Sequence, residues 1–184
     1  MTEEQPYEVI SAYEGFELRR YPEHVLAEVE IDGTFETAGS AAFRSLVSYI
    51  GGGNATGVGL AMTAPVIQQR QHGETLNTTE IASGRFVVAF VLPASTTAAT
   101  APLPRDPAVQ VRVVPTEYAA AARFSGRWTA SSYGQHVSQL VESVRSAGLE
   151  IVGSPRFARF DPPWTPWFMR RNEVVVSVRD PSGL

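Results

Sequence analysis

Few side chains in this sequence have the type and setting for chemistry. There is no cysteine, and all fifteen basic residues are arginine. That excludes a disulfide framework, a cysteine-based zinc or iron–sulfur centre and Schiff-base catalysis on lysine. Neither a Gly-x-Ser-x-Gly elbow nor a His-Glu-x-x-His string occurs, so the common serine-hydrolase and metallopeptidase arrangements are absent. Glu117 and Tyr118, at a predicted strand start, form the one acid–aromatic pair suited to general acid–base work. Of the three histidines, His24 follows Pro22 at a strand start and His72 lies by a polar turn, so both read as surface residues. His136, beside Tyr133 and Leu140, reads as half-buried and hydrogen-bonded rather than metal-bound. Arginine remains as the residue for recognising carboxylates.

Two apolar stretches stand out against this background. Residues 160–178 read FDPPWTPWFMRRNEVVVSV: two prolines, an aromatic run, paired arginines and a buried-looking strand. An exposed aromatic tip of this kind signals a contact, unless the loop folds back on its own sheet. Residues 51–67, GGGNATGVGLAMTAPVI, have a similar character, and the two stretches are expected to face one apolar ligand. The glycines follow a helix and no Lys-Ser/Thr pair closes them, so they read as a helix stop and tight loop, not a phosphate loop.

The elements that must position these stretches follow from periodicity. Short strands are expected at 7–10 and 16–21. In the next strand Val25, Ala27, Val29 and Ile31 face inward while Glu28 and Glu30 face solvent. Thr34 caps a helix over 35–50, closed by Gly51. Its apolar arc, through Ala42, Phe43, Leu46, Val47, Tyr49 and Ile50, spans roughly 160°, against the 100° or so needed to lie on a sheet. The spare edge carries Phe43 and Val47 between Ser40 and Arg44, and either packs under a loop or meets a ligand. Pro65 makes 62–68 an edge or bulged strand, whereas 85–92, apolar on both faces, is central.

The second half repeats this plan. Strands at 109–114 and 118–124 precede a helix capped by Ser131, with the stripe Tyr133, Val137, Leu140, Val141 and Val144, stopped by Gly148; strands at 156–161 and 172–178 follow. Gly126 lies 93 residues after Gly33 at a matching corner. The expected fold is a single α+β domain over 1–184: a duplicated β-α-β-β unit, halves about 7–93 and 107–180, forming a curved, barrel-like antiparallel sheet with two helices on the outside.

Composition bounds the partners. At 184 residues the chain buries a core without staples. A net charge of -4 argues against nucleic acid. No apolar run reaches the roughly 20 residues of a membrane helix, and the acidic N-terminus, MTEEQPYEV, is unlike a signal or transit peptide. A cytoplasmic protein without a membrane partner is expected; its protein partners are unspecified.

Taken together, YIGGGNATGVGLAMTAPV (49–66), FVLP (90–93), LPRDPAV (103–109), the Arg123-Phe124-Ser125-Gly126 corner and FDPPWTPWFMRRNEV (160–174) resemble the SOUL haem-binding protein family over nearly the whole chain. The resemblance implies the duplicated α+β sheet. It also implies a haem or other porphyrin held non-covalently, with weak ligation, in a shallow apolar cleft between the first helix and the last loop. Aligned through Tyr49, the ligand-facing helix positions fall on Ser40, Phe43 and Val47, and the loop positions on Trp164 and Thr165. Where relatives can place a basic residue toward the propionates, this chain has Ser40 and Thr165; Arg44, one turn along, is the substitute. Met62, near the glycine loop, is the candidate thioether ligand, and no histidine falls in the cleft.

Three functions compete. The first is a carrier, buffer or sensor of a tetrapyrrole. The second is a small-molecule binder or hydrolase similar to the GyrI-like domains, working through Glu117 and Tyr118. The third is an interaction scaffold docking through 164–169.

Overall fold

The computed structural model describes residues 2–71 and 82–183; His72 lies outside them. The described residues form eleven strands and two α-helices. Strands β1 (Glu3–Glu4), β2 (Glu8–Tyr13), β3 (Phe16–Tyr21) and β4 (His24–Thr34) lead into α1 (Phe35–Ile50). Next come β5 (Thr63–Ala64), β6 (Val66–Arg70), β7 (Ser83–Val91), β8 (Val109–Val114) and β9 (Glu117–Phe124). Helix α2 (Ala130–Ser146), β10 (Arg156–Arg159) and β11 (Asn172–Val178) complete the order.

The fold is α+β. Nine strands form one antiparallel sheet in the order β2-β3-β9-β11-β10-β6-β7-β4-β8, and β1 and β5 make a separate two-residue parallel pair. Read outward from the β10–β6 pair, one side runs β10-β11-β9 and the other β6-β7-β4. The antiparallel sheet with two helices is the one expected from sequence, and it is not closed. β2 and β8 end the sheet without pairing with each other, so it stays open.

Strand alternation explains the core. Phe16, Leu18, Val25, Ala27, Val29, Phe86, Val88, Phe90, Ala120, Phe157, Val174 and Val176 turn to one face, where they pack with Phe35, Ala38, Ala42 and Leu46 of α1 and Val137, Leu140 and Val144 of α2. Among the described residues, the opposite face carries no helix and has two small clusters, around Tyr21–Val175 and Leu26–Ile67. β7 is apolar on both faces because it serves both sets, as expected.

Helix α1 begins and ends where its sequence says. Thr34 Oγ1 accepts from Thr37 N, and Thr37 Oγ1 accepts from Thr34 N, giving a capping box, and Gly51 is the C-cap. Helix α2 starts earlier than expected: Thr129, not Ser131, is the cap, and its side chain accepts from the first-turn amide of Ser132, at 3.2 Å. Strand β6 is also corrected. It pairs with both β7 and β10 and is interior, because Pro65 sits between β5 and β6, where no ladder donor is needed. Glu28, expected in open solvent, lies under Arg112 with its side chain 13% exposed. Among the described residues no helix is long and apolar enough to cross a membrane.

Candidate functional site

The candidate cleft starts from the edge of α1 that the core leaves uncovered. Ser40, Phe43, Arg44 and Val47 are all exposed, Phe43 at 48% and Val47 at 38%, whereas Ala38, Ala42 and Leu46 beside them are sealed. Phe43 is not loose. Its ring meets Phe90 of β7 edge-on at 5.7 Å, so one side is held and the other left open. Taking about 100° per residue from Gly39, Phe43, Val47 and Ser40 lie at about 40°, 80° and 100°, and Arg44 at about 140°. The first three share an edge; Arg44 faces further out.

The loop of 160–171 presents the aromatic residues without folding them back. Trp164 is 84% exposed, and Trp167, Phe168 and Met169 lie open beside it. The backbone beneath them is fixed. Arg170 donates from Nε to Thr165 O at 2.8 Å and from NH2 to Pro163 O, Gly126 N donates to Trp167 O, and Arg171 N donates to Asp161. Asn172 ties this loop to the preceding corner: its Nδ2 donates to Gly126 O, and its Oδ1 accepts from Trp128 Nε1 at 2.6 Å.

A chain of contacts links loop and helix through Arg159 and Trp128, which were not candidates in the sequence, and Arg170 of the arginine pair. Arg159 of β10 sits with its guanidinium 4.8 Å from the Trp128 ring centre, and Arg170 lies 4.3 Å from the same ring. Arg159 also lies against α1 at Gly39, where an added Cβ would be 2.6 Å from its NH1. Burial, with Arg170 beside it, pushes the Arg159 guanidinium down to about 10, so it stays charged at neutral pH. Only the repeated arginine at 170–171 hinted at this cluster; Arg159 looked like an ordinary strand residue.

The remaining candidates fall outside this group. Leu60 N donates to Ile50 O, fixing the chain at the C-terminal end of α1, and Met62 is exposed two residues later. The glycine loop is built on Asn54, fully buried, whose Nδ2 donates to Tyr49 O and Val58 O and whose Oδ1 accepts from Thr56 N, Thr56 Oγ1 and Gly57 N. Glu117 and Tyr118 separate: Tyr118 packs on the helix-side core, while Glu117 accepts from Arg156 at 2.6 Å on the other face. That face holds a cavity of about 160 Å³ lined by His24, Glu28, Arg112, Glu117, Arg156 and Ser177. Its arginines are already paired, Arg112 with Glu28 and Arg156 with Glu117. Among the described residues no group of three or more acids or histidines is placed to hold a metal.

The pattern of the SOUL heme-binding protein family matches residues 2–177. The chain belongs to the SOUL family. No curated protein matches it. Among solved structures, the C-terminal domain of EcmrR is similar at a TM-score of 0.70 and 14% identity, covering 95% of this chain and 98% of that one. A hydrolase from Listeria innocua is similar at 0.59 and 10% identity, with 92% and 94% covered. A further conserved protein from Listeria innocua gives 0.59 and 11%, with 88% and 92% covered. At these identities the likeness concerns fold. The SOUL chain described here shares with them the open antiparallel sheet with its two helices.

Proposed function

We propose that this SOUL protein binds haem or a related porphyrin non-covalently in the shallow cleft between the α1 edge and the 160–171 loop, as a cytoplasmic carrier, buffer or sensor. The observation that carries the reading is the pair Phe43 and Val47, one helical turn apart and left open on an otherwise sealed helix face. A flat apolar ligand lies on such an edge without disturbing the core. Trp164 and Thr165 close the cleft from the loop side, Ser40 borders it, and Arg44 and Met62 stand at its margins. With Met62 the one candidate iron ligand, weak ligation suits transfer better than storage.

The test is a haemin titration followed in the Soret region, with Phe43→Asp and Trp164→Ala alongside. Saturation at one equivalent, weakened by both changes, supports the site; unsaturating, mutation-insensitive binding removes it. A second reading, small-molecule binding on the helix-free face, draws on the cavity between His24 and Ser177. It predicts a ligand whose binding changes with Arg112→Ala and not with Phe43→Asp.

A further inference from the structure

Arg159 and Arg170 are two cations on one indole, and no carboxylate of the described residues pairs with either. Arg159 donates from NH2 to the neutral Gln68 Oε1 at 2.9 Å, and its buried Nε has no partner. Among the described residues, Arg170 donates to the carbonyls of Thr165 and Pro163. Among the described residues neither has a carboxylate within ion-pair distance, whereas the partly or fully buried Arg19, Arg156 and Arg171 each do. Glu36 is near enough to be felt by Arg159, yet its carboxylate accepts from Ala130 N at the start of α2, at 2.9 Å. A buried guanidinium without an opposite charge is costly to keep, and two close together more so.

Their position gives that cost a use. Trp128, with Phe157 and Phe35 further in, holds the Arg159 guanidinium by its faces, at 4.8, 5.1 and 5.7 Å from the ring centres. Gly39 leaves bare helix backbone against which Arg159 rests, one turn before Phe43. Arg159 therefore lies at the end of the apolar edge of α1, with Arg170 on the same indole. From Gly39 to Val47 that edge runs about 12 Å at the helical rise, long enough for a flat molecule with its acidic groups at one end.

We infer that Arg159 and Arg170, arranged on Trp128, form a carboxylate-binding site that takes the acidic edge of a ligand whose apolar body lies along Phe43 and Val47. The ligand's body rests on the tetrapyrrole reading above; the cationic site stands on its own contacts. Planar guanidinium forks suit carboxylates, and the role expected from sequence for Arg44 passes to these two residues.

The experiment compares protoporphyrin IX with its dimethyl ester, by fluorescence titration, in the wild type, Arg170→Gln and Arg159→Lys, with far-UV circular dichroism as the check on folding. Wild type is expected to bind the diacid at least tenfold more tightly than the diester, and Arg170→Gln to lose most of that ratio. Arg170 also braces the loop, but a bracing role alone would weaken acid and ester together and leave the ratio unchanged. An unchanged ratio in both variants, or equal affinities in wild type, overturns the site while leaving the tetrapyrrole reading intact. If neither porphyrin binds, that reading falls, and sodium benzoate decides the cationic site. A benzoate-dependent rise in Tm over sodium chloride at equal ionic strength, lost in Arg170→Gln, supports it; no rise, or a rise retained in the variant, overturns it.

Discussion

Arg19 of β3 and Glu173 of β11 meet across β9 through two hydrogen bonds, 2.6 Å from NH1 to Oε2 and 3.2 Å from NH2 to Oε1, with both residues almost fully buried. Burial would lower the arginine's pKa, but the hydrogen bonds and charges of Glu173 and Tyr21 together outweigh it and raise it. Glu173 also accepts from Arg171, so removing its charge takes the buried partner from two cations and leaves them the more exposed Glu17 and Glu4. Glu173→Gln is expected to cost about 3–5 kcal/mol, the range for breaking one partner of a buried pair. Urea unfolding checks this through the midpoint at constant slope. The double variant Arg19→Met/Glu173→Met should cost clearly less than the two single changes added together. A loss under about 1 kcal/mol for Glu173→Gln, the level of an exposed pair, would mean water reaches the site.

Asn54 is expected to matter as much as a core residue although it lies in a glycine loop. It joins the end of α1, through Tyr49 O, to the amides of Thr56 and Gly57. Asn54→Ala leaves several buried polar groups without partners and is expected to cost about 2–3 kcal/mol. Asn54→Asp keeps the acceptor but turns a carboxylate oxygen toward two carbonyls, so it should be nearly as damaging. Thermal unfolding of both reports it; a neutral Asn54→Asp would show that the donor half of the amide is dispensable.

What the sequence revealed and what it concealed have separable causes. Helix α1 was legible at both ends because Thr34 and Gly51 are the cap residues nearest a clear apolar stripe. Helix α2 was misplaced at its start because Thr129, Ser131 and Ser132 all offer hydroxyls, and only the backbone decides which one reaches a first-turn amide. The four alanines of β9 favour a strand poorly on their own; β3 and β11 on either side hold them there. The exposed edge at Phe43 and Val47 was readable from the excess width of the stripe. The Arg159–Trp128–Arg170 stack was not, since its members come from three separate segments joined only by the fold.

Two histidines should make stability fall on mild acidification. Burial lowers the pKa of both: His24, whose Nδ1 pairs with Pro22 O, and His136, stacked on Phe124 at 3.8 Å. For His24, Arg156 and Arg112 add to the lowering, against Pro22 O and Glu117; for His136, Gln139 opposes it. With the folded pKa below the unfolded value of about 6.5, the unfolded chain binds more protons, so stability rises with pH through that region. Tm is therefore expected to drop between pH 7.5 and 5.5, and His24→Gln/His136→Gln should flatten the drop. An equal slope in the double variant would assign it to other groups.

Phe35 and Phe43 sit two turns apart on α1 and should separate stability from binding. Phe35 is 1% exposed and packs against the rings of Phe86, Tyr133 and Phe157, so Phe35→Ala is expected to cost about 3–5 kcal/mol. Phe43 has one ring neighbour, Phe90, and is half open, so Phe43→Ser should lose no more than about 1.5 kcal/mol, the scale of a single aromatic pair. In a haemin titration the order reverses: Phe43→Ser is expected to weaken binding at least tenfold, and Phe35→Ala, at temperatures where it remains folded, only slightly. If Phe43→Ser proved as destabilising as Phe35→Ala, the open edge of α1 would belong to the core. If it left haemin binding unchanged at small cost, the ligand would have to lie elsewhere, and the helix-free face would be the next surface to probe.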